Sequence, residues 1–129
     1  MSLKDRMEFD AFKTQTFIPH HTVMLNALGS SFVYELDEPS FHGKTAAYAM
    51  LSGNQFPALE KLAKQIGASA MVKEAFEAGI KKIVLKHEKD VRSSWDGMAI
   101  EGGTLTIRLD WEECYLPDDQ LLNQLTKML

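Results

Sequence analysis

Four histidines, one cysteine and several paired carboxylates are the side chains of this 129-residue chain with the means to do chemistry. His20 and His21 look most like metal ligands. Sequence neighbours diverge by about 100° on a helix and about 180° on a strand, so these two cannot clasp one ion. His42 and His87 stand apart, and no two histidines are spaced at i, i+3 or i, i+4, the spacing that puts two ligands on one helical face. No metal site and no cofactor are therefore expected. Cys114 follows Glu112 and Glu113 in WEECYLP. A nucleophilic thiolate needs nearby positive charge, whereas adjacent carboxylates raise the thiol's pKa, so a buried structural cysteine is expected. His42, His87 and Cys114 are the weak catalytic candidates, joined if one of the histidines approaches the thiol as a base.

The carboxylate pairs Asp37/Glu38, Glu112/Glu113 and Asp118/Asp119 bring no second environment to one cleft, as acid/base catalysis requires, and read as solvated turns and a helix cap. Phe41 to Thr45 reads FHGKT, which ends like a phosphate-binding loop. The missing glycine five residues before Gly43 is Glu38, so a turn and a solvated lysine are expected instead. One cluster is more suggestive. His87, Glu88, Asp90, Arg92, Trp95 and Asp96 crowd a strand end and the loop after it, where polar groups with an aromatic commonly make a binding loop. The competing reading folds Trp95 onto the neighbouring hairpin as core, which the large burial energy of an aromatic favours.

The chain is organised around residues 57–88. Leu59, Leu62, Ala63 and Ile66 form one apolar helical stripe that stops at Gly67. Ser69 can cap a second helix with Met71, Val72, Ala75 and Phe76 on one face, ending at Gly79. Both glycines are expected to be left-handed helix stops. Ile83, Val84 and Leu85 then read as a core strand.

Before this unit, residues 2–15 have helical spacing with soft edges, and Pro19 sits at a plausible helix start whose stop is Gly29. Phe32, Tyr34 and Leu36 alternate as a strand that ends at Pro39. Residues 45–52 are ambiguous, with helix preferred over a returning strand, and SGNQFP reads as a loop. After it, Gly102-Gly103 marks a two-residue hairpin turn. That turn pairs Glu101 with Thr104 and Met98 with Ile107, which puts Met98, Ile100, Leu105, Ile107, Leu109 and Trp111 on one face. Asp118 or Asp119 should cap a last helix that buries Leu121, Leu122 and Leu125.

These elements predict one α+β domain over residues 1–129, a small, mainly antiparallel sheet of about four strands including the 98–111 hairpin, covered by several helices. A parallel pairing of the strands at Phe32 and Ile80 is compatible with the helices that join them.

Composition narrows the function classes. A net charge of −4 with the 14 basic residues scattered among acids argues against a nucleic-acid groove. The N-terminus has acids where a signal peptide needs an apolar run, no long apolar segment occurs, and one cysteine allows no internal disulfide, so a cytoplasmic protein with no membrane contact is expected. Two function classes remain. The first is a non-enzymatic interaction module of accessory, adaptor or immunity type. It would meet a basic protein partner through an acidic, aromatic surface of Trp95, Asp96, Arg92, Glu112 and Glu113, with Trp111 and Tyr115 as further anchors. The alternative is a small-molecule-binding or hydrolytic domain with a pocket between helices and sheet using His42 and His87. A homodimer through the hairpin edge or the last helix fits either.

Overall fold

A computed structural model describes residues 2–129. Its shape is set by two long helical runs, each with an internal proline. The first is α1 (Leu3–Phe12), a π turn (Lys13–Phe17) and α2 (Ile18–Leu28), joined through right-handed helical backbone without a break. Pro19 has no N–H to donate, and its ring excludes the carbonyl four residues back. The turn before it is widened, and the Ile18 N–H bonds the Lys13 carbonyl instead. The second run repeats the device. After β1 (Val33–Leu36) and the single turn α3 (Glu38–Phe41), α4 (Thr45–Met50) passes through a π turn (Leu51–Gln55) into α5 (Phe56–Ala68). There the Phe56 N–H reaches the Leu51 carbonyl, immediately before Pro57. Residues 45–50 are therefore helical, and Pro19 stands in the first turn of α2 as expected, although α2 runs on from the π turn; the loop expected at SGNQFP is instead an interior turn of a continuous helix.

α2 packs along α5, and α6 (Ala70–Gly79) follows with Ser69 accepting from the Val72 N–H as the cap spacing predicts. Gly67 and Gly79 are not left-handed, contrary to expectation. The glycines with positive φ are Gly29, Gly43, Gly102 and Gly103. Both helix ends turn straight into extended residues, Ser69 and Ile80, so no left-handed link is needed.

The sheet has the order β1, β2 (Lys82–His87), β4 (Thr104–Leu109), β3 (Met98–Glu101). The hairpin has the predicted register, Glu101 opposite Thr104 and Met98 opposite Ile107, around glycines at φ 57° and 80°. The mainly antiparallel expectation is overturned, because β1 pairs parallel to β2 and β2 parallel to β4. The sheet is mixed. β4 offers a complete inward row of Leu105, Ile107 and Leu109 to match Ile83, Leu85 and His87, while β3 offers only Met98 and the half-buried Ile100. β4 accordingly takes the central position and β3 the edge. The chain from β2 crosses to that edge through α7 (Ser94–Gly97).

The inward face packs under the helices in one buried cluster that includes Tyr34, Ile83, Leu85, Leu105, Ile107 and Trp111. Outward, Lys82 and Arg108 meet Glu35 and Glu88 at 2.8 and 2.9 Å. At the C-terminus α8 (Leu121–Met128) buries Leu121, Gln124 and Leu125, but neither Asp118 nor Asp119 caps it. Gln120 holds the cap position without a side-chain bond. Among the described residues no helix is long and apolar enough to cross a membrane.

Candidate functional site

Parallel pairing has a functional consequence. β1, β2 and β4 run in the same direction, so the three loops that follow them, residues 37–44, 88–93 and 110–117, gather at one edge of the sheet. Groups at the carboxyl ends of parallel strands are the ones such sheets present to ligands. The loops are tied to the strand ends by backbone bonds, Asp37 N–H to Leu85 O, Glu88 N–H to Leu109 O and Asp110 N–H to Val91 O, at 2.7 to 3.0 Å. Side chains complete the bracing. Ser40 Oγ accepts from the His87 N–H at 3.0 Å, and the buried Trp111 donates Nε1–H to Lys86 O at 2.8 Å. Gln55, from the second π turn, donates to Cys114 O and accepts from the Leu116 N–H.

At the centre of this edge is His87, the last inward residue of β2, with a side chain 4% exposed. Its Nδ1 faces the Trp111 N–H at 3.3 Å. An amide N–H can only donate, so Nδ1 accepts and the neutral ring carries its proton on Nε2. Glu112 Oε1 lies 3.6 Å from Nε2, beyond hydrogen-bond range, and Nε2 has no hydrogen-bond partner. Burial lowers the His87 pKa, the Glu112 and Asp110 carboxylates oppose it and Lys44 adds to it, so the ring is neutral at pH 7. Beside it lies Asp110, 3% exposed, whose carboxylate accepts the Glu112 N–H at 3.2 Å and the Asp90 N–H at 3.4 Å. One ligand atom from each of His87, Asp110 and Glu112 lies within 4.8 Å of the others.

Around this group the loops carry the expected surface residues. Arg92 and Glu113, both exposed, join the second and third loops at 2.7 Å. Trp95 is 52% exposed, with Lys127 Nζ 5.4 Å from its ring centroid, and Tyr115 is 64% exposed. The reading of Trp95 as hairpin core is thus corrected. The hairpin's inward place is filled by Trp111, fully buried, which removes Trp111 as a surface anchor. Trp111 follows β4 by two residues, on the inward side of the same alternation, whereas Trp95 stands on the separate short helix α7. Asp96 is exposed on that helix, where its carbonyl accepts from Arg108 Nη2.

The weak catalytic candidates separate. His42 turns to Glu38 Oε1 at 3.4 Å and to the edge of the Phe9 ring, while His87 turns to Glu112 and Trp111. Cys114 is half-buried, and its thiol pKa is raised, first by burial and then by Asp110, with Arg92 opposing.

Two groupings escaped the sequence reading. Asp110 was overlooked, although Asp110 and Glu112 two residues apart beyond an alternating strand were a visible signal. The other is a brace beneath α2 and α5. His20 Nδ1 donates to Glu60 Oε2 at 2.8 Å, and Nε2 accepts from Tyr34 O–H at 2.7 Å. The tautomer follows because a carboxylate only accepts. Burial holds the His20 pKa down to about 4 despite Glu60. Both ring nitrogens are used and Tyr34 is 2% exposed, so the trio satisfies its own polar atoms and links α2, α5 and β1. Compared with protein-family models, curated proteins and solved structures, the chain matches none.

Proposed function

We propose that this domain is a non-enzymatic interaction module of the accessory, adaptor or immunity type, which holds a basic protein segment against the loops at the carboxyl edge of its sheet. The observation that carries the reading is Trp95, half exposed on α7 beside loops joined by the Arg92–Glu113 pair. Large aromatics with a polar rim are the usual anchors of protein interfaces. Charge supports the sign of the partner, since residues 109–126 hold five acids and no lysine or arginine. Acidic potential of this kind steers a basic partner and fixes its register. A cytoplasmic setting and no nucleic-acid partner belong to the same reading, supported by the lone cysteine and the scattered basic residues. The pocket alternative would need His42 and His87 to act together, whereas His42 Nε2 meets Glu38 and His87 Nε2, unpartnered, lies nearest Glu112.

The test is affinity purification from the protein's own host with wild type and the double variant Trp95→Ala/Glu113→Gln, both checked by circular dichroism. A basic protein retained by wild type at low salt, eluted by raised salt and lost from the variant is the expected result. If every co-purified protein binds both forms equally, the reading fails. Native mass spectrometry of the same samples separates a heteromeric complex from a homodimer.

A further inference from the structure

We propose that His87 Nε2, a carboxylate oxygen of Asp110 and a carboxylate oxygen of Glu112 bind one first-row divalent transition-metal ion of the zinc type. One ring nitrogen of His87 and one carboxylate oxygen each of Asp110 and Glu112 converge from β2 and the loop after β4 within 4.8 Å of one another, and Nε2 lies 3.6 Å from Glu112 Oε1. Two ligand atoms at about 2.1 Å from one tetrahedral ion are about 3.4 Å apart; the His87–Glu112 side, at 3.6 Å, is already close to that, and no side need shorten by more than about 1.4 Å. Glu112, with a side chain 33% exposed, is free to supply that movement and opens the site to solvent.

Two independent features point to a cation. His87 Nε2 is buried without a hydrogen-bond partner, 3.6 Å from Glu112 Oε1. Asp110 is 3% exposed, yet among the described residues neither Asp110 nor Glu112 has a lysine or arginine within 4.0 Å. Buried charge is ordinarily paired or bound to metal, and here an imidazole and two carboxylates are gathered with no lysine or arginine in ion-pair contact, Lys44 and Arg92 acting on them only from farther off. One nitrogen with two oxygens suits zinc, manganese, cobalt or iron(II) better than calcium or magnesium, which favour all-oxygen sites. The backbone amides of Glu112 and Asp90 orient the Asp110 carboxylate, as outer groups do at metal centres. Coordination through Nε2 moves the ring proton to Nδ1 and gives up the 3.3 Å contact from the Trp111 amide. With three ligands and that loss, the expected affinity is on the order of micromolar rather than that of a closed four-ligand site.

The experiment is isothermal titration of untagged, chelator-treated and dialysed protein with zinc chloride. Cobalt(II) absorption in the visible range reports the ligand field in parallel. Wild type should bind one zinc per chain with an upward shift in melting temperature. Glu112→Gln changes a partly exposed side chain and keeps the fold. It should bind at least about tenfold more weakly and lose both the shift and the cobalt bands. His42→Gln, a control at the other isolated histidine, should bind as wild type. The proposal is overturned if wild type shows no saturable zinc binding, or if Glu112→Gln matches it in affinity and cobalt spectrum.

Discussion

At the scale of residues, the Glu60–His20–Tyr34 brace has measurable consequences. His20 is neutral in the folded protein down to about pH 4, whereas an unfolded histidine protonates near its ordinary value. Between those values the unfolded chain binds more protons, so stability falls as pH drops from about 6.5 through about 4. The loss is complete below the folded value and amounts to about 3 kcal/mol for this one group. His87 shifts in the same direction and adds to it. Urea unfolding at pH 7 and pH 4.5 should show a steep acid loss in wild type and a shallower one in His20→Gln; equal slopes would remove His20 from the explanation. Tyr34→Phe deletes the donor to His20 Nε2 and strands a buried acceptor, at an expected cost of about 1–3 kcal/mol at pH 7. None of this was legible in the sequence, because Tyr34, His20 and Glu60 meet only after a strand and two helices pack. Adjacency in the sequence makes His20 and His21 look like a pair. Their partners lie elsewhere.

At the scale of elements, the two π turns explain how prolines sit inside helices. A π turn is an α-helix with one residue inserted, so deleting the exposed Gly53 should return the second run to regular α pitch without rotating its flanks. Pro57 would then stand in an ordinary helix interior, at a cost of about 3 kcal/mol. The deletion combined with Pro57→Ala should recover most of that loss by urea denaturation. A deletion as stable as wild type would show that the proline does not require the wide turn. At α7, a Cβ added to Gly97 would lie 1.8 Å from the Arg108 carbonyl oxygen. Gly97→Ala should therefore push α7 off β4 and destabilise by about 1–3 kcal/mol. Because α7 carries Trp95, its emission should shift as well. The π turns are not legible in the sequence, because a widened turn leaves no signature in residue types beyond the proline that follows it, which equally marks a helix start.

At the scale of the whole molecule, the mixed sheet decides what the surface can do. The two tryptophans provide a direct check, since Trp111 is fully buried and Trp95 half exposed. Acrylamide should quench one emitting population in wild type, and Trp95→Phe should abolish that quenching and leave a protected, shorter-wavelength emission. Equal accessibility of both indoles would contradict the packing of the loop after β4 on β2.

By itself the sequence determined the hairpin and its register, the Ser69 cap, the apolar stripe of α5 and the α+β class. Each follows from local geometry: a two-glycine turn allows one pairing, and one helical period selects one face. Strand order was settled by tertiary packing alone. β2 lies beside β4 because complete rows of inward side chains match there, a comparison between segments that no local window contains. That choice makes the sheet mixed and sends three loops to one edge. It brings His87 to Asp110 and Glu112, and leaves Trp95 rather than Trp111 facing solvent.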